Sequence, residues 1–378
     1  KHYDVATDAT PARVKTLFPK TQEVGAAFGV VLVRHLGSQL EVATFRSDGP
    51  YSDRRRPDAV TFSDPRSDAL RRDFTVNALF LDPLAADESQ RVIDFVGGRD
   101  DLAARVIRAV GDPQARLAED HLRALRAVRL SARLGFEIED GTAQAIREHA
   151  ADLAGVSRER IGDEIRRMLT DASRGVAAWT LQYLGLDTPV LNEPTRVVAP
   201  VRLSRLGEGA AYTTALAAWA LDRLGGTPDE PLADALVSRW RAGLCLTNDE
   251  SAALRATLRD LGLLRGPWWV MGVALQKRAC VRPAFAEATR IVGTVDREEF
   301  VRIRLRVEEL RNTPSGLAPM PFVTGDDLVE WGFSPGPGFK GVLDRVYDAQ
   351  LEDRVSDRGE ASVLARELAR RSGVQGED

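Results

Sequence analysis

The sequence predicts an α+β protein in which a small strand-bearing part comes first and a much larger all-α part follows. Three observations carry that expectation. Period-2 and apolar-run strand signals are confined to residues 1–95. From about residue 100, Ala, Leu and Arg recur at helical spacing and strand signals nearly vanish. Pro- and Gly-rich breaks at 186–206 and 313–322 divide the helical part, and 378 residues exceed what one ordinary core holds.

In chain order, Val5–Thr7 read as a short strand, and Thr10 with Pro11 starts a helix ending near Leu17 and Phe18. Phe28–Arg34 and Leu40–Phe45 form two strands joined across His35-Leu36-Gly37-Ser38, and Val92–Phe95 make one more strand before Gly97-Gly98. Asp112 as N-cap with Pro113 at the first helical position opens a long helix, and Gly135 is its natural stop. Further helices are expected near 140–151, 157–170, 175–184, 209–225, 231–243, 248–263, 281–293 and 296–312. Pro335-Gly336-Pro337-Gly338 is expected to form a tight turn in the last segment.

Composition narrows the class. With 44% hydrophobic, 29% charged and 6% aromatic residues, the chain is neither disordered nor fibrous. No apolar run approaches the roughly 18 residues of a membrane span, and no leader stands at the start, so the cytoplasm is the expected location. Cys245 and Cys280 are too few and too far apart for a zinc cluster or a disulfide framework. The net charge of −4 taken alone speaks against a polyphosphate partner. Yet lysine occupies only positions 1, 15, 20, 277 and 340, so 47 of 52 basic residues are arginine, whose planar fork suits phosphates and base edges. Genomic GC bias explains the same excess equally well. The chain opens at Lys1, inside what reads as a strand, so the N-terminal part is expected to be incomplete.

Three groups of residues carry chemistry. Positions 2 and 4 share one strand face, and Glu41 sits in an otherwise apolar hairpin, so Asp4 and Glu41 offer hard oxygen ligands on neighbouring strands. Such carboxylates also occur simply as solvated strand residues. Arg71-Arg72 can meet a triphosphate, Asp73 can accept from a ribose hydroxyl, and Asn77 lies four residues on, one turn away if the segment is helical; a capped helix start with exposed arginines is the plain alternative. In the long helix Glu119, Arg123 and Arg126 fall at i, i+4 and i+7, with Asp120 and Arg123 at i and i+3. A carboxylate beside a guanidinium matches the edge of cytosine or adenine, although an ordinary salt-bridge ladder has the same spacing. Arg54-Arg55-Arg56 reads as a solvated basic loop, and His121 and His149 as surface residues without a catalytic role.

These segments occur in a fixed order: Asp4-Val5-Ala6-Thr7-Asp8-Ala9-Thr10-Pro11, Val24-Gly25 with Phe28–Val33, Glu41–Arg46, Arg71–Ala78 and Glu119–Arg123. The series resembles the bacterial class II tRNA nucleotidyltransferase (CCA-adding) and poly(A) polymerase family over residues 1–170. Thr324–Leu328, Pro335-Gly336-Pro337 and Ala349-Gln350-Leu351 look like the same family's tail. The resemblance implies a polymerase-β-like nucleotidyltransferase mixed sheet as head at 1–98, then a helical neck at 99–170, body at 171–312 and tail at 313–378. It implies Asp4 and Glu41 as catalytic metal ligands, and Arg72, Asp73 and Asn77 in the nucleotide-binding motif. Asp120 and Arg123 match the base-selecting pair, and Arg126 and Arg129 match further nucleotide-contacting arginines. The implied partners are the tRNA acceptor end, CTP and ATP, with two Mg²⁺ ions and in-line attack of the RNA 3′-hydroxyl on the α-phosphorus. No protein partner is implied.

Two departures qualify the resemblance. His2 stands where the family's Asp-x-Asp pair has its first aspartate, a nitrogen ligand that Mg²⁺ disfavours. The Gly-Gly turn and Arg-Asp that precede the pair in the family fall before Lys1. Weak or absent activity with retained RNA binding is therefore expected of the chain as it stands. The alternatives are a poly(A) polymerase, a CC-only or A-only enzyme, and a non-catalytic RNA-binding relative. Against the first, no basic cluster precedes Ala26-Ala27-Phe28-Gly29 and no basic extension closes the chain.

Overall fold

The computed structural model describes residues 4–23, 29–49, 58–87 and 91–371. His2, residues 24–28 and residues 54–57 lie outside the described residues. The chain divides into two compact units, Lys1–Ala199 with Arg239–Leu246 and Pro200–Ser238 with Thr247–Asp378.

The first unit opens with β1 (Asp4–Thr7), α1 (Pro11–Leu17), β2 (Thr21–Glu23), β3 (Val30–His35) and β4 (Ser38–Thr44). They form a mixed sheet of order β1-β4-β3-β2, with β1 parallel to β4 and the other pairings antiparallel. Leu36 and Gly37, at φ 48° and 78°, make the two-residue turn between β3 and β4. Positive φ at both positions gives the turn the twist of the flanking strands, so the hairpin is tighter than the four-residue link expected. Thr10 accepts from the Arg13 amide and Pro11 occupies the first turn, which starts α1. Val14 of α1 packs on Val31, Val33 and Val42, which fixes one face of the sheet as core. Alternation then puts Asp4 and Glu41 on the other face, in register as direct neighbours.

Two small ribbons follow: β5 (Arg46–Asp48) with β6 (Val60–Phe62), then, beyond α2 (Pro65–Leu70), β7 (Phe80–Leu81) with β8 (Val92–Ile93). Next come α3 (Gly98–Ala104), β9 (Val106–Ile107), α4 (Pro113–Glu119), α5 (Leu122–Leu134), β10 (Glu137–Ile138), α6 (Asp140–Glu148), a 3₁₀ turn at Ala150–Gly155, α7 (Arg158–Leu169), α8 (Arg174–Tyr183) and α9 (Asp187–Leu191). The single helix expected between Asp112 and Gly135 is two helices. Asp120 adopts an extended backbone (φ −152°, ψ 102°), and its carboxylate takes the Leu122 amide at 3.1 Å, offering that backbone a partner outside the helix. Residues 71–74 are likewise not helical, and only Thr75–Asn77 form a 3₁₀ turn.

The remaining helices are α10 (Val201–Arg205), α11 (Tyr212–Leu224), α12 (Glu230–Leu244), α13 (Asn248–Leu264), α14 (Pro267–Val270), α15 (Val273–Cys280), α16 (Pro283–Val292), α17 (Arg297–Arg311), α18 (Gly325–Glu330), α19 (Pro337–Leu351) and α20 (Arg358–Arg371). In the second unit α11 is buried nearly all round, with Trp219 and Leu216 fully enclosed, and it packs on α13 and α16. Leu328, Val342, Val346 and Leu368 give α18–α20 a core of their own. Where a tight turn was expected, Pro337 starts α19, because its fixed φ suits a first helical position. The break at 186–206 contains α9 and α10, each too short for periodicity to reveal. No described helix is long and apolar enough to cross a membrane.

Candidate functional site

The two arginines after α2 are aimed by a residue that was not singled out in the sequence. Asp68 is buried and divides its oxygens between them. Oδ1 accepts from Arg71 Nε and Nη2 at 2.8 and 2.6 Å, and Oδ2 from Arg72 Nε and Nη2 at 3.1 and 2.8 Å. One carboxylate thus orients two forks. Arg72 also lies over the Phe80 ring, 5.7 Å from its centroid.

Asp73 follows on a segment clamped from behind. Val110 N donates to Asp73 O, Thr75 N to Arg108 O, and Thr75 Oγ1 to Asp101 Oδ2 at 2.7 Å. The α3 N-terminus presses on the same segment. Asp94 accepts from the amides of Val96, Gly97, Gly98 and Arg99 at 2.9–3.1 Å, and a Cβ on Gly98 would stand 2.3 Å from Thr75 O. The Asp73 carboxylate, almost fully buried, accepts from Phe74 N, from Asn77 Nδ2 at 3.2 Å and from Arg126 Nε at 2.7 Å. Burial by itself would raise the Asp73 carboxyl. The Arg126 guanidinium and these hydrogen bonds outweigh it and hold the group below the usual carboxylate value. Asn77 therefore meets Asp73 across a turn, not along a helix.

The junction between α4 and α5 places the second half of the site. Asp120 Oδ2 accepts from Arg160 Nη2 of α7 at 2.7 Å, so its ion-pair partner is a distant residue and not Arg123. Arg123 is buried. It donates to Glu119 Oε2 and to Arg116 O, both at 2.6 Å. Arg129 Nε is held by Glu164 of α7 at 2.5 Å. Arg160 and Glu164 stand one turn apart on α7, a spacing visible in the sequence, but their partners lie 40 and 35 positions away. His121, expected at the surface, is buried at the same junction, 4.0 Å from Asp152.

These groups converge on a cleft of about 530 Å³ lined by Asp4, Arg71, Arg72, Asp73, Asn77, Asp120, Leu122, Arg123, Arg126, Arg129, Leu130 and Arg160. Six arginines and three aspartates line it, and Asp68, Glu119 and Glu164 hold Arg71, Arg72, Arg123 and Arg129 from behind, so the wall is rich in arginine forks although the chain is acidic overall. Such forks suit a triphosphate, and the alternation of fixed donors with carboxylate acceptors suits a base edge. Glu41 does not line the cleft; it is the register partner of Asp4 one strand over. Both carboxylates are exposed, without a hydrogen bond or ion pair to another described residue. Neighbouring strands stand about 4.8 Å apart, so the pair offers hard oxygen donors at a separation that fits a divalent cation.

In the second unit a larger cleft, about 920 Å³, follows α16 and α17. Arg297, Arg304 and Arg311 line it, seven residues apart on one face of α17, joined by Arg290 of α16. Phe300 sits between them, with Arg297 and Arg304 at 4.9 and 5.9 Å from its ring.

Known proteins are similar to this chain in sequence and fold. The Poly A polymerase head domain matches residues 1–108, and the Probable RNA and SrmB- binding site of polymerase A matches residues 135–191. A CCA-adding enzyme of Geobacillus stearothermophilus is 34% identical over 371 residues, 94% of this chain and 86% of the relative. Another, from Pediococcus pentosaceus, is 36% identical over 370 residues, 96% and 88% of the two chains. The crystal structure of the Bacillus stearothermophilus CCA-adding enzyme in complex with CTP superposes with a TM-score of 0.74 at 28% identity, over 98% of this chain and 90% of that one. Nucleotidyltransferases of this kind depend on a divalent metal, which accords with the Asp4–Glu41 pair. With a shared fold and about a third of its residues identical over nearly its whole length, the chain belongs to the CCA-adding enzymes, nucleotidyltransferases with a polymerase-β-like head.

Proposed function

We propose that this chain adds CMP, CMP and AMP to the 3′ end of tRNA in the cytoplasm, weakly as it stands because His2 occupies the first metal position, with side chains and not a nucleic-acid strand choosing the base. One observation supports this above the others: Asp120 and Arg123 line the same arginine-rich cleft as Asp4, Arg72 and Asp73. In this proposal Arg71, Arg72, Arg126 and Arg129 orient the triphosphate, and Asp73 with Asn77 accepts and donates at the ribose. Arg123 donates to, and Asp120 accepts from, the edge of cytosine or adenine. The RNA 3′-oxygen bonds to the α-phosphorus, the bond to the β-phosphate oxygen breaks, pyrophosphate leaves, and the hydroxyl proton passes to solvent. Asp4 and Glu41 would hold Mg²⁺, which when bound supplies neutralisation of charge growing on the phosphate oxygens. Residues 1–98 serve as head, 99–170 as neck, 171–312 as body and 313–378 as tail. The arginine row of α17 meets the RNA backbone.

Incorporation of CMP and AMP into tRNA lacking its 3′ end tests the proposal. Asp4→Asn and Glu41→Gln are each expected to lower kcat at least about 100-fold, the size of a lost metal contribution of several kcal/mol, with nucleotide affinity retained. A double Asp120→Ala, Arg123→Ala variant that still discriminates CTP and ATP from UTP and GTP as before would sink it. Long A tracts on an unstructured oligonucleotide would favour the poly(A) polymerase alternative.

A further inference from the structure

We propose that His121, His149 and Asp152 form a site for a borderline transition-metal cation of the Zn²⁺ class, distinct from the carboxylates of β1 and β4. The three come from different elements: the α4–α5 junction, the end of α6 and the following 3₁₀ turn. Their ligand atoms all lie within 4.8 Å of one another. His149 Nδ1 is 2.7 Å and His121 Nδ1 4.0 Å from Asp152 Oδ2, and the two rings are 5.6 Å apart at 32°. Zinc bonds of 2.0–2.1 Å in a tetrahedron set ligand atoms about 3.3 Å apart, between those two separations. Small rotations of His149 and Asp152 therefore close the site.

The donor set selects the ion. Two imidazoles with one carboxylate suit Zn²⁺, Co²⁺ or Ni²⁺, whereas Mg²⁺ prefers oxygen alone. Access is one-sided: the His121 side chain is 4% exposed, those of His149 and Asp152 24% and 41%, so a fourth position opens to solvent. The His149–Asp152 contact alone is an ordinary local pair at i and i+3. It does not account for a second imidazole delivered to the same carboxylate by the junction. His121 is the neighbour of Asp120, so a bound cation ties the junction to the Ala150–Gly155 turn and steadies the carboxylate that Arg160 holds. That consequence rests on the base-selecting role proposed above; the binding itself does not.

The test uses the full chain without a histidine tag, stripped with a chelator and titrated with Co²⁺ and then Zn²⁺. The expected result is a visible Co²⁺ absorption band that saturates at one equivalent, is displaced by Zn²⁺ and survives millimolar Mg²⁺. His149→Gln and Asp152→Asn, the two accessible ligands, are each expected to weaken Co²⁺ binding at least tenfold, with far-UV circular dichroism checking that both fold. An Asp4→Asn, Glu41→Gln double variant keeps the band while losing nucleotide incorporation, which separates this site from the catalytic one. No saturable band, a band unchanged in both ligand variants, or a band lost with Asp4 and Glu41 overturns the proposal.

Discussion

Asp73 is ionised and enclosed, and its stability contribution has a definite sign. Its folded-state pKa lies below the ordinary 3.8, so the unfolded chain binds the proton more tightly. The contribution is complete above pH 3.8 and is lost as pH falls from there through the folded value. Urea unfolding of the first unit is therefore expected to lose stability below about pH 4, and Asp73→Asn to flatten that part of the curve; an identical pH slope in the variant removes the assignment. Arg160 is the second residue to probe. Without it Asp120 loses a charge-assisted hydrogen bond of about 1.5–3 kcal/mol, so Arg160→Ala is expected to raise KM for CTP and ATP about tenfold or more, with Arg160→Lys recovering part. Steady-state kinetics with both nucleotides checks this. The arginines and aspartates of the cleft were legible as residue types in the sequence. Their partners were not, because Arg160 and Glu164 reach the site only through the packing of α7 against α5.

At the scale of elements, a single methyl group tests how the nucleotide segment is positioned. Gly98→Ala drives a Cβ into the Thr75 carbonyl, so α3 and the Asp73–Asn77 segment must part; a loss of about 1–3 kcal/mol is expected in urea unfolding. The sequence marked Gly97-Gly98 only as the end of a strand. The neighbour that makes Gly98 irreplaceable is brought to it by tertiary folding. α17 offers an electrostatic counterpart in the second unit. Its arginines stand about 10.5 Å apart along the helix axis, and each phosphate contact contributes about −0.7 to −0.9 to the slope of log affinity against log salt. Arg297→Gln with Arg304→Gln is expected to weaken tRNA binding and to make that slope shallower by about 1.5. Filter binding over a range of salt concentrations measures it, and an unaltered slope takes α17 out of the RNA surface.

For the whole molecule, net charge is a poor guide to partner. The chain carries −4, yet the described cleft of the first unit gathers six arginines and that of the second four. Tight, salt-sensitive tRNA binding is therefore expected from a protein with a pI near 5.8, because condensed counterions respond to the local field.

The sequence by itself determined the α+β class, most of the long helices and the order of the motif segments, since helical periodicity, caps and contiguous motifs are local properties. It left Asp120 and Arg123 on one continuous helix, as spacing alone suggested. Tertiary structure decided otherwise: the Asp120 side chain captured a backbone amide, the helix broke, and the freed carboxylate turned to Arg160. It also buried Asp68 behind two arginines and His121 beside His149 and Asp152. The physical reason differs with separation along the chain. Arg160 meets Asp120, and His121 meets Asp152, only because helices pack, across residues too far apart for a local pattern to carry; the Asp68 pairs at i+3 and i+4 and the Asp120 contact with the Leu122 amide are local, and the fold added burial to them.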